Sequence, residues 1–263
     1  MDVHPRFERL LELSAPLWAG EAEVARTYFD SGNRTAETDQ TWLSRQCYKE
    51  FWGSGFVDPD VGVIGEWSRK AVDMVPQLED GLPRGELLDL LEQIYAEYHH
   101  FCLFANIYER LGGEGTKLTP RMLSNWDEGE ALDVYRAGVR KEHGALGQAS
   151  LSFTEGGYCT LYSEGLKLEG RGGVDDEIGT VCRRVYDDEM VHLVNGIAAV
   201  GREVDGDAEW DLLEELVVTQ LRMRVTMRNG QFGYPLSSDR VSAIHAGEIE
   251  PLTFDYGLVA QAA

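Results

Sequence analysis

The 263 residues amount to 29.4 kDa, enough chain to bury a core without disulfide staples. Twenty-four Lys and Arg against 46 Asp and Glu leave a formal charge of −22, a field that repels phosphate backbones and anionic lipid, so neither nucleic acid nor a membrane surface is an expected partner. The uncharged run Met190 to Gly201 spans 12 residues, short of the roughly 20 that cross a bilayer, and the stretch from Met1 to Ser14 mixes acids and arginines where a signal peptide would be apolar, so a cytoplasmic protein is expected.

Apolar residues spaced by three and four predict helices over about 6–28, 37–54, 60–78, 84–111, 119–143, 145–168, 174–201 and 207–229. Breaks rich in Gly, Pro and Asp separate them: 31–35, 79–85, 111–115 and 169–173. No strand alternation and no internal repeat competes, so the fold class is all-α. From Asn229 the helical period fades, and the tail over about 230–263 reads as an irregular arm. Several glycines fall inside helical pattern: Gly144 reads as a break, while Gly156 and Gly157 serve either close packing or space beside a buried site. The four cysteines, Cys47, Cys102, Cys159 and Cys182, match no thiolate metal spacing and no disulfide framework, which fits a reducing compartment.

Two of the six histidines stand three residues after a glutamate: Glu97 and His100, Glu189 and His192. On a helix, positions i and i+3 share a face, so each pair aims a carboxylate and an imidazole at one point. Both pairs lie in apolar seams. The first seam is Leu90, Ile94, Glu97, Phe101, Phe104 and Tyr108; the second is Ile178, Cys182, Val185, Glu189, Leu193, Gly196 and Val200. A carboxylate in such a seam costs several kcal/mol or takes up a proton, unless a cation shared with the imidazole offsets the burial. His99, about 200° around the helix from Glu97, faces outward in this reading.

Two carboxylates and two imidazoles leave a two-metal site short of ligands, so two more are expected from antiparallel neighbours. Residues level across a helical hairpin are equidistant from its turn. Glu155 and Glu189 are centred on Gly172, inside the 169–173 break, and Glu155 shares a face with Leu151, Tyr158, Cys159, Tyr162 and Leu166. Glu164 lies about 180° away and is set aside. Glu66 and Glu97 are centred between Gly81 and Leu82, again inside a break, although the face of Glu66 holds Arg69, Lys70 and Asp73. Glu50, flanked by Cys47 and Phe51, is the alternative first ligand, but its midpoint with Glu97 falls inside a helix.

A Glu, a Glu-x-x-His, a second Glu and a second Glu-x-x-His, in that order over about 66–192, resemble the metal sites of the ferritin-like di-iron carboxylate superfamily. Gly65-Glu66-Trp67 is similar to the Gly-Glu-aromatic motif of bacterial multicomponent monooxygenases, and Asp188-Glu189-x-x-His192 is similar to the Asp-Glu-x-x-His of those enzymes and of the ribonucleotide reductase small subunit. The resemblance implies one ferritin-like domain over 1–263, its four-helix metal-binding bundle at about 60–201, with additional N-terminal and C-terminal helices. It implies Glu66, Glu97, His100, Glu155, Glu189 and His192 as ligands of two iron ions, or of a manganese–iron pair, and Asp188 as the residue that orients His100. Where some relatives carry Thr four residues after the third carboxylate, this chain has Cys159, followed by Thr160; where the radical subunits carry Tyr four residues after the first His, it has Phe104.

The function these residues lead us to expect is O2 activation at the di-iron site, with oxidation of a small organic substrate by hydroxylation, desaturation, N-oxygenation or C–C cleavage. Phe101, Phe104, Gly156, Cys159, Thr160 and Tyr162 are the expected lining for substrate and O2. An external donor of the ferredoxin or reductase kind would supply electrons, and a homodimer is allowed. Two alternatives remain open: a ferroxidase or peroxide-scavenging protein like ferritin or rubrerythrin, and a metal-free helical binding protein.

Overall fold

The computed structural model describes residues 5–53, 61–154, 156–204 and 206–252, with only the backbone described at 5, 156–158, 191–199 and 201–203. Every regular element among these residues is helical: α1 (Pro5–Phe29), α2 (Ala36–Trp52), α3 (Gly62–Met74), α4 (Arg84–Gly112), α5 (Asp127–Phe153), α6 (Gly156–Leu166), α7 (Val174–Glu203), α8 (Asp207–Gln231) and α9 (Ser238–His245). None is long and apolar enough to cross a membrane. The chain divides into two compact units, Thr35–Trp126 on the one hand and Met1–Arg34 with Asp127–Ala263 on the other.

In the Thr35–Trp126 unit, α2 starts at a reciprocal cap: Thr35 Oγ1 accepts from the Thr38 backbone N–H at 3.3 Å and Thr38 Oγ1 accepts from the Thr35 N–H at 2.9 Å. Its buried stripe then packs along α4 in antiparallel order. Gln40 Nε2 donates to the Tyr108 carbonyl, Trp42 meets Phe104, and Phe51 meets Phe101, so residue numbers rise on one helix as they fall on the other. Nearer the start of α4, Leu90 packs with Ala71 and Met74 of α3, flanked by Trp67, Leu82, Leu87 and Ile94. Each fully buried side chain of this size is worth about 1.5–3 kcal/mol, so three helices suffice for a core.

The other unit is built on α8, whose buried face meets α1 and α5, while α6 and α7 pack on each other, α6 also on α1 and α7 also on α5. The helix expected over 119–143 starts instead at Asp127, because Pro120 opens a single 3-10 turn, Pro120–Met122, and Leu123 follows in extended backbone. Asp127, Glu128 and Glu130 then complement the positive end of α5. The expected break at Gly144 is present as φ 53° and ψ −122°, a conformation costly for any residue with a Cβ. It folds α5 back on itself. A Cβ at Gly147 would meet the Val139 carbonyl at 2.5 Å, and Val139 and Leu151 share a cluster with Leu216. Polar contacts hold the two arms together: Arg136 donates to Thr154 Oγ1 and to Gln220 Oε1, and Gln220 Nε2 donates to Ser150 Oγ at 2.8 Å.

The predicted helix over 145–168 is accordingly two pieces, the second arm of α5 and α6. The tail also departs from expectation. Helix α8 continues to Gln231, Asn229 clamps the next loop through both its amide groups on Leu236, and Ser237 caps α9 by accepting from the Arg240 N–H. The period of α9 escapes a sequence reading because eight residues give barely two turns.

Candidate metal centre

Helix α2 places Trp42, Leu43, Gln46, Cys47 and Glu50 on its buried side, a three-and-four spacing that carries two polar groups inward. Helix α4 brings Glu97 and His100 to the same level. One donor atom each from Glu50, Glu97 and His100 lies within 4.8 Å of the others, and Glu50 Oε2 stands 3.5 Å from His100 Nδ1. His100 is fully buried, Glu50 is 4% exposed and Glu97 is half-buried. Gln46, also fully buried, donates from Nε2 to Glu50 Oε1 at 2.7 Å.

Two carboxylates and one imidazole at this distance repel unless a proton or a cation lies among them. Donors bound at about 2.1 Å to one ion stand roughly 3–4 Å apart, a range that the 3.5 Å between Glu50 Oε2 and His100 Nδ1 falls within. Two oxygen donors and one nitrogen suit iron, manganese or zinc better than copper(I). Burial, then the Glu50 carboxylate, then Cys102 push the Cys47 thiol well above its ordinary range, keeping it protonated. Aromatic pairs run along the same stretch of α2 and α4: Phe51 against Phe101, Tyr98 against Phe101 and Trp42 against Phe104.

The carboxylate grouped with Glu97 and His100 is thus Glu50, the alternative that spacing alone left in second place. Glu66 stands apart, in an open cleft of α3 and α4 lined by Arg69, Lys70, Asp73, Glu86 and Asp89, the charged face its helical phase indicates. His99 is half-buried and stacked on Tyr95 at 5.5 Å. The amide of Gln46 is a member of the site that the motif search does not find, although its place four residues before Glu50 on a buried stripe is a usable signal.

The second Glu-x-x-His pair belongs to the other unit. Glu189 is 6% exposed on α7, in the seam with Ile178, Cys182 and Val185, all buried. The His192 side chain and Glu155 lie outside the described residues, as does the side-chain environment of Gly156. Asp188 is 3.2 Å from Arg184, one turn earlier on α7. Glu164, set aside for lying opposite Glu155, is itself buried and ion-paired with Arg26 and Lys167. Of the expected lining, Phe101 and Phe104 are buried beside the α2–α4 group, and Cys159, Thr160 and Tyr162 are buried within the other unit.

The class that these observations define is an all-α protein carrying a buried Glu–Glu–His group suited to a metal ion. No protein-family model, no curated protein and no solved structure matches the chain.

Proposed function

We propose that Glu50, Glu97 and His100 hold a redox-active metal ion, and that the chain is a ferritin-like, O2-activating oxidoreductase acting on a small organic molecule. The observation that supports this reading is the convergence of two carboxylates and an imidazole, from two helices, on one point. Iron held by such a set supplies electrons to dioxygen. The residues do the rest: the carboxylates balance the ion's charge, His100 fixes one nitrogen donor, and Phe101 and Phe104 limit water at the centre. Glu189 and His192, on α7 of the other unit, repeat the Glu-x-x-His spacing, so a second ion, iron or manganese, held by that pair is part of the reading.

The test is metal analysis of the chain after anaerobic Fe(II) loading, followed by absorption spectra on exposure to O2. At least one iron per chain, lost in His100→Ala, and an O2-dependent visible band are expected. A stoichiometry near two that falls in Glu189→Ala would assign a second ion to the second pair. A ferric mineral as the product would favour a ferroxidase over an oxygenase, and a chain that takes up no metal would leave a helical binding protein.

A further inference from the structure

We propose that Gln46 is a positioning residue that commits Glu50 to the metal centre through one oxygen; the inference rests on the reading of Glu50, Glu97 and His100 as ligands. Gln46 and Glu50 are one turn apart on α2, both are buried, and the amide donates to Oε1 at 2.7 Å. The other oxygen, Oε2, is the one turned toward His100 Nδ1, 3.5 Å away. One lone-pair direction of the carboxylate is therefore engaged by an amide, and the other faces the remaining donors.

A glutamate side chain has three rotatable bonds, and a ligand that must be ordered as the ion arrives binds it more weakly than one already held. The amide supplies that hold without charge. An arginine or lysine in its place would neutralise the carboxylate and oppose a cation, whereas a carboxamide leaves the carboxylate its negative charge. Gln46 is itself fully buried, on the same side of α2 as the buried residues Trp42, Leu43 and Cys47. The geometry assigns Glu50 a fixed terminal role, in contrast to a carboxylate free to swing between one-oxygen and two-oxygen binding.

The experiment is a cobalt(II) titration of the full chain, followed by calorimetry and by the visible d–d bands, for wild type, Gln46→Met, Gln46→Leu and Glu50→Gln. Far-UV circular dichroism establishes that each variant is folded. Gln46→Met and Gln46→Leu are expected to bind cobalt roughly 10- to 100-fold more weakly, with altered band shape, a readout that loss of packing alone would not move. Wild-type affinity and band shape in either folded Gln46 variant, alongside weakened binding in Glu50→Gln, would overturn the proposal and leave the ligands standing. Unchanged binding in Glu50→Gln, or no stoichiometric cobalt in the wild type, would remove the ligand reading and this assignment with it. Should Gln46→Leu fail to fold, Gln46→Met, nearer in length and shape, carries the comparison.

Discussion

Among the described residues, the charged side chains buried between α1 and α8 pair with one another. Glu21 of α1 is fully buried and receives Arg224 through both oxygens, at 2.8 and 3.2 Å, while Arg228 Nε stands 3.5 Å away. Removing one member of such a group leaves uncompensated charge in a low-dielectric interior. Glu21→Gln, which keeps the shape and deletes the charge, is expected to lower stability by about 3–5 kcal/mol, measured by urea unfolding. A loss below about 1 kcal/mol would mean that other groups already balance the two guanidinium ions. At the proposed metal centre, the same scale separates two glutamates. Glu50→Gln should reduce iron uptake strongly, whereas Glu66→Gln, in its open charged cleft, should leave it within about twofold; equal losses would place both among the ligands.

Among the elements, α9 shows how a short helix is fixed by a few contacts. Ile244 is fully buried and sits so close to α1 that a Cβ at Gly20 would fall 2.3 Å from its Cγ2. Gly20→Ala gains about 1 kcal/mol of helix propensity but overpacks this contact, so a net loss of about 1–2 kcal/mol, seen as a lower melting temperature, is expected. An unchanged or raised melting temperature would show that Ile244 shifts freely.

The same helix carries a pH dependence. Burial holds the His245 imidazole below its ordinary range, against a hydrogen bond to the Arg222 backbone that acts the other way. The Arg240 guanidinium, bonded to both oxygens of Glu23 at 2.6 and 2.7 Å, holds that carboxyl below its usual range. Both folded-state values lie below the unfolded ones, so both groups bind protons more readily in the unfolded chain. Their contributions are complete above about pH 6.5 for His245 and above about pH 4.5 for Glu23, and are lost as pH falls further. Melting temperatures across pH 3–8 should therefore show a shallow fall near pH 6 and a steeper one below pH 4.5, and Glu23→Gln should flatten the second step only.

At the scale of the whole molecule, −22 charges on 263 residues repel one another more in the compact state than in the expanded one. Salt screens this repulsion. Raising ionic strength from about 0.01 to 0.15 M shortens the screening length from roughly 30 to 8 Å, and the melting temperature is expected to rise by about 2–4 °C, or about 1 kcal/mol. A fall would indicate that specific ion pairs, such as Arg6 with Asp211 and Glu214, outweigh the net repulsion.

Local spacing accounts for what is legible in the sequence by itself. Apolar periods of three and four place α1, α2, α4, α7 and α8 within a few residues, since an amphipathic helix records its buried face in the chain itself. The Glu97–His100 pair is legible for the same reason: two side chains three residues apart share a helical face whatever surrounds them. The reversal inside α5 is signalled by Gly144, the one residue type that takes its φ of 53° without penalty. The third member of the group is not legible. Hairpin symmetry assumes that level residues sit on consecutive helices, and it therefore points to Glu66 on α3; α2 instead packs antiparallel on α4 with α3 between them in sequence, and that brings Glu50 to Glu97 and His100. Periodicity tells which residues share a face, but which helix covers that face is chosen by the fit of side chains such as Trp42, Phe51, Phe101 and Phe104 across the interface, a property of the pair of surfaces and of neither segment alone.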